Sequence, residues 1–170
     1  MAPASFSKED EKNWLLIDTE NLVLKVVSRG KVKAIYKNIS IGRNGAAVDK
    51  RQGDEKTPLG EFKIGWINRE SRYRLFFGMN YPSLAVAEKG LIRGDIDLDT
   101  YVAIRLALKN KGIPPQNSRL GGQVGIHGLG QADSSVHKTV NWTEGCIALT
   151  NEQIDSLSHW VFKGMRVIVK

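Results

Sequence analysis

One cysteine and one glycine-flanked histidine are the residues of this chain best suited to covalent chemistry. Cys146 is the single cysteine among 170 residues, so an internal disulfide and a multi-cysteine zinc site are both excluded. What remains is an inert buried thiol or a nucleophile. Its setting is Trp142-Thr143-Glu144-Gly145-Cys146-Ile147-Ala148-Leu149, where a polar stretch meets an apolar tripeptide. Gly145 permits a backbone conformation closed to other residues and lets a carbonyl come close to the chain. The amides of Gly145 and Cys146 are therefore candidates for an oxyanion hole. Upstream, His127 follows a short apolar run and is surrounded by Gly125, Gly128 and Gly130. A thiol is only a few per cent ionised at neutral pH, so acyl transfer needs a base, and His127 can supply one where the intervening loop folds back. His137, in a polar loop, and His159, in a predicted helix, read as solvated or packing residues. Three histidines and one cysteine show no metal-ligand spacing, and no cofactor is implied.

The elements that must position this pair are mostly strands. Trp14 to Asp18 and Leu22 to Val27 are short, β-branched and separated by a polar turn. Val32 to Ile41 carries Ile35, Ile39 and Ile41 on one parity, predicting the third strand of a meander. Residues 43–56 have almost no apolar content and read as an exposed loop, and residues 61–67 alternate as a half-buried strand does. Tyr101, Ile104 and Leu108 recur at helical spacing within 95–111, closed by Gly112 and Pro114-Pro115. A second helix starts at Thr150, whose capping box with Gln153 precedes Ile154, Leu157 and Val161, and is expected to run to Gly164. Met165 to Lys170 reads as a final strand. The fold class is mainly β, a β-rich α+β domain.

Composition agrees with one folded domain. Hydrophobic residues make up 41% and charged residues 25%, which excludes disordered and collagen-like classes. A net charge of +7 suits anionic partners such as cell-wall polymer, acidic lipid or nucleic acid. Nucleic-acid binding has one faint trace, Tyr73 within Arg69 to Arg74, and is not expected. No apolar run approaches the roughly eighteen residues that cross a bilayer, and no basic-then-apolar leader opens the chain. The expected organisation is a polar extension over residues 1–12, then one domain over 13–170.

These residues resemble the L,D-transpeptidase catalytic domains of bacterial cell-wall enzymes, also called YkuD-like domains. The resemblance rests on His127-Gly128 followed by Thr143-Glu144-Gly145-Cys146-Ile147, with fifteen residues (128 to 142) between the histidine and the threonine. A second element, Thr57-Pro58-Leu59-Gly60-Glu61-Phe62, matches the family's Thr-Pro-x-Gly-x-Phe. Similarity extends to the opening meander and so over most of the chain. It implies a YkuD-like β-sandwich with a C-terminal helix; the helical content between β segments at about 73–115 adds the expectation of a capping insertion, with Tyr81 a candidate substrate contact. It also implies that Cys146 attacks a peptidoglycan stem peptide, expels the terminal D-alanine and forms a thioester. His127 would hold Cys146 as thiolate and protonate the leaving amine, with the Gly128 carbonyl fixing its tautomer. Gly145 and Cys146 amides would bind the oxyanion, with Thr143 and Glu144 supporting the loop. Many members carry His before the Gly-Cys pair and Arg or Asn two residues after the cysteine, where this chain has Glu144 and Ala148. That form looks more like a branch that includes hydrolases. Four readings therefore stay open: transfer to an amine or protein acceptor, hydrolysis as an L,D-carboxypeptidase or amidase, an exported antibacterial effector, and a non-enzymatic wall-binding module. The family's working place is the periplasm or cell envelope.

Overall fold

The computed structural model describes residues 12–170, so the extension expected over 1–12 lies, except for Lys12, outside the described residues. Trp14–Asp18 (β1), Val23–Ser28 (β2) and Lys31–Lys37 (β3) form an antiparallel meander. Leu15, Ile17, Leu24 and Val26 alternate inward and are fully buried. β3 departs from the expected parity, because Ile35 is 51% exposed while Tyr36 is buried. The Tyr36 hydroxyl pairs with Ser156 Oγ at 3.0 Å. The strand stops at Lys37, where Asn38 takes a left-handed φ of 59°. That turn resets the alternation, so Ile39 and Ile41 are buried although Ile35 is not.

The segment expected as an exposed loop is more structured than its composition suggests. Ala46–Ala47 (β4) pairs in parallel with Thr57–Pro58 (β5), and Lys50 between them is only 4% exposed. Gly60–Ser71 (β6) and Arg74–Met79 (β7) follow, so the opening of the expected insertion belongs to the sheet. The remainder holds two helices, Leu84–Arg93 (α1) and Leu98–Lys109 (α2). α1 was not expected. It is capped by Ser83, whose side chain accepts from Val86 N, and is closed by Gly94 at φ 76°.

Gly125–His127 (β8), Ser134–Thr139 (α3), Ile147–Ala148 (β9), Asn151–Leu157 (α4) and Arg166–Val169 (β10) complete the order. Both halves of the Thr150–Gln153 capping box are made, yet α4 ends at Leu157, seven residues before Gly164. The eight-stranded sheet runs β3-β2-β1-β10-β6-β7-β8-β9. β6 joins its two parts, pairing with β10 over residues 60–63 and with β7 beyond, and its register shifts between Ile64 and Trp66. Such an irregularity bends a strand. The core contains Leu15, Ile17 and Leu24 from one part together with Phe77, Ile126 and Ile147 from the other. Both parts thus enclose one interior, and the bridge from Ser40 to Ala148 ties the β9 edge back to the chain beyond β3. The molecule is mainly β, as expected.

Candidate active site

The register of two very short strands brings the cysteine and the histidine together. β8 and β9 run parallel, with Ile126 opposite Ile147 and His127 opposite Ala148. Ile126 and Ile147 are fully buried on the core side. Side chains alternate, so Gly125 and His127 face the other way, and one step back along the register places Cys146 opposite Gly125 on that same face. Cys146 and His127 are diagonal neighbours, their Cα atoms about 8 Å apart from strand rise and spacing. A side chain at 125 would collide with the Phe76 ring and the Phe77 carbonyl, each 2.6 Å from a Cβ built there.

His127 is 3% exposed and enclosed by aromatic rings. Tyr73 stacks on it at 4.4 Å, Phe76 lies at 6.1 Å, and Trp142 meets it edge-on at 6.0 Å. Its Nδ1 is 2.6 Å from the Gly128 carbonyl oxygen. A carbonyl only accepts, so Nδ1 carries the proton and Nε2 holds the free lone pair. Burial lowers the imidazole below its usual range against the pull of that bond, and His137 and Arg72 lower it further. His137 is itself buried, the packing alternative of the two expected, and lies in α3 rather than in a loop, with Trp142 Nε1 donating to its Nδ1 at 3.2 Å. His159 is exposed.

The thiol is partly open by area but crowded around the sulfur, and burial pushes it up to about 11. The Gly125 N–H and the Lys50 cation pull it back, and the exposed Glu144 carboxylate adds to the rise. In this arrangement Sγ donates to the Gln123 carbonyl at 3.4 Å. Burial thus favours the neutral form of both the thiol and the imidazole.

The loop before β9 is held from two sides. Thr143 Oγ1 donates to the Cys146 carbonyl at 2.7 Å and accepts from Gly145 N at 3.2 Å. Thr57, fully buried, donates to the Gly145 carbonyl at 2.9 Å while accepting from Gly42 N at 2.9 Å. The Thr57-Pro58 motif therefore anchors the cysteine loop, a role its local sequence does not announce. One expectation changes: the Gly145 N–H is committed to Thr143, which leaves the Cys146 N–H, with no acceptor among the described residues, as the open amide. Gly145 stands at φ 137°, and a Cβ there would meet Lys56 O at 2.7 Å and Lys50 Nζ at 3.0 Å. Gly145→Ala is expected to destabilise the protein by about 1–3 kcal/mol. Turnover should fall at least tenfold as the loop shifts; thermal melting with steady-state kinetics checks both, and unchanged turnover would contradict this placement.

Tyr81 is not at a substrate surface. It is fully buried, packs on Phe62 at 5.8 Å between centroids, and its hydroxyl donates to Leu120 O at 2.6 Å. Burial raises its phenol far above the usual range. Tyr81→Phe is expected to cost about 1–3 kcal/mol of stability by orphaning that carbonyl, with KM unchanged. A changed KM at unchanged stability would return Tyr81 to the substrate. An open cleft of about 780 Å³ lies beside Arg72, Tyr73, Gly130 and Asn151, and neither Cys146 nor His127 lines it. Among the described residues no cluster of metal-ligating side chains occurs, and no helix is long and apolar enough to cross a membrane.

Residues 12–169 match the family described as the L,D-transpeptidase catalytic domain. No curated protein matches the chain. Among solved structures, the helical cell shape determining protein Pgp2 from Campylobacter jejuni aligns with a TM-score of 0.60 at 22% identity, over 97% of this chain and 52% of that one. Bdellovibrio bacteriovorus Bd1075 aligns at 0.61 and 19%, over 98% and 50%. An Enterococcus faecium L,D-transpeptidase carrying a cysteine mutation aligns at 0.54 and 15%, over 94% and 50%. The chain spans about half the length of these structures, and its likeness to them is one of fold.

Proposed function

The chain belongs to the L,D-transpeptidase catalytic-domain family, and from that premise we propose that it is a cysteine acyltransferase acting on peptidoglycan stem peptides. The observation that carries the reading is the β8–β9 register, which sets Cys146 and His127 on one face with Nε2 as the available base. His127 Nε2 takes the thiol proton as Sγ bonds to the carbonyl carbon of the third stem residue. The Cys146 N–H holds the oxygen that becomes negative. When the intermediate collapses, the C–N bond breaks, and the imidazolium gives its proton to the departing D-alanine amine. A thioester remains on Cys146. The Gly128 carbonyl keeps Nδ1–H oriented throughout and stabilises the transient imidazolium. An incoming amine then attacks the thioester, losing its proton to Nε2, and regenerates the thiol. Residues 13–170 form one catalytic unit in this reading, and its working place is the cell envelope.

Water in place of the amine makes the same dyad an L,D-carboxypeptidase. The experiment is mass analysis of purified disaccharide-tetrapeptide after incubation with the protein. Crosslinked dimers are expected, tripeptide alone would assign hydrolysis, and unchanged tetrapeptide together with intact crosslinked and protein-anchored stems would overturn the enzymatic reading.

A further inference from the structure

We propose that Lys50 is a catalytic residue of this site, its ammonium binding the oxygen that gains negative charge when Cys146 attacks a carbonyl. The inference rests on the acyl-transfer reading above and supplies what that reading lacks. Oxyanion sites work through preorganised donors, and the Gly145 amide is already engaged with Thr143, leaving one open backbone N–H. Lys50 comes to the same place from another part of the chain. Its Nζ lies 3.0 Å, and its Cε 3.4 Å, from the position a Cβ would take on Gly145, the residue bonded to Cys146. Only a glycine leaves that space to the ammonium.

The amine is held there deliberately enough to act as a fixed charge. Lys50 is 4% exposed, and Nζ donates to Asp54 Oδ1 at 2.9 Å. Asp54 is itself pinned by Arg51 N at 2.7 Å and Lys56 N at 3.0 Å. An ammonium has three N–H donors, and Asp54 is the one acceptor found for them among the described residues, so two remain for an incoming oxygen. A lysine that served only to tie Asp54 could do so from solvent, without the several kcal/mol that burying an ammonium costs. Because two backbone amides share the Asp54 carboxylate, its charge only partly offsets the ammonium.

The test uses the full chain with Lys50→Met, Lys50→Arg and the double variant Lys50→Gln/Asp54→Asn, which removes both charges together. Two quantities are read: steady-state turnover of disaccharide-tetrapeptide, and the rate of Cys146 alkylation by iodoacetamide at pH 8, followed by intact mass. Lys50→Met and the double variant should lose about 100-fold in kcat with KM within about twofold. Alkylation should slow severalfold, since the cation facing the forming thiolate is gone, and Lys50→Arg should keep a substantial part of both rates. A structural Lys50 would lower the melting temperature and leave alkylation and kcat of the folded variants unchanged, which would overturn the proposal. Where Lys50→Met fails to fold, the double variant decides. If the unmutated protein turns over no stem peptide, the functional reading falls by itself, and the alkylation rates still judge Lys50.

Discussion

Cys146→Ala will fold as the parent does and turn over no stem peptide, its rate down by roughly 10⁴-fold or more, the scale at which removing a covalent nucleophile acts. The two halves of that expectation have different physical origins. Structurally the thiol does little: it is partly buried and makes one long hydrogen bond, to Gln123 O at 3.4 Å. The loop around it is braced by Thr143 and Thr57, which the substitution leaves intact. Chemically, every step of the proposed mechanism runs through a bond to Sγ, and no other thiol exists in the chain to take its place. Comparison of melting temperature, acyl-enzyme mass and turnover checks the point. An alanine variant retaining even one per cent of the rate would move the nucleophile elsewhere.

His127→Gln carries the second large effect, a fall of about 10³-fold, within the range expected for losing a general base. Its pH dependence separates this base from a histidine that merely packs. Burial holds the His127 imidazole below its usual 6.5, so it stays neutral and able to accept a proton through neutral pH. The parent's rate should therefore hold down to pH 6.5 and be lost only as pH falls through the lowered value. In the glutamine variant that acid limb should vanish. Its residual rate should instead climb about tenfold per pH unit toward the thiol's own value near 11, because only spontaneous ionisation then makes thiolate. A variant with the parent's pH profile would count against a base at this position. Stability has the same sign: the unfolded imidazole binds a proton near 6.5 that the folded one refuses, so folding weakens as pH drops below that point. His137, lowered by burial too, adds to the acid loss.

How far the sequence leads depends on the range of the interactions involved. β1 and β2 were legible because a short β-branched run bounded by turn residues is a local signal. The Thr150 capping box was legible for the same reason, being closed within four residues. His127 and Cys146 stood out as candidates through their glycines and spacing, and the β8–β9 register puts both on one face. Ile35 misled because Asn38's left-handed turn changes parity after the strand, a backbone event that composition does not reveal. α1 was missed, though Ser83 and Gly94 are ordinary cap residues in hindsight. Tyr81 and Lys50 were misread or unseen because burial is decided by distant partners, Leu120 and Phe62 for the one, Gly145 and Asp54 for the other. The oxyanion assignment shifted for a similar reason: only the folded loop shows which amide Thr143 consumes.

The cysteine loop hangs on hydrogen bonds that close very long stretches of chain, 88 residues from Thr57 to Gly145 and 102 from Ser40 to Trp142. Loop closure on that scale is slow and is achieved only when most of the polypeptide is already in place. A growing or clipped chain ending before residue 146 carries no nucleophile, and a chain lacking the first 57 residues has the nucleophile without its anchor. In the proposed mechanism the reactive loop is therefore complete only after both of those distant partners are in place, late in folding.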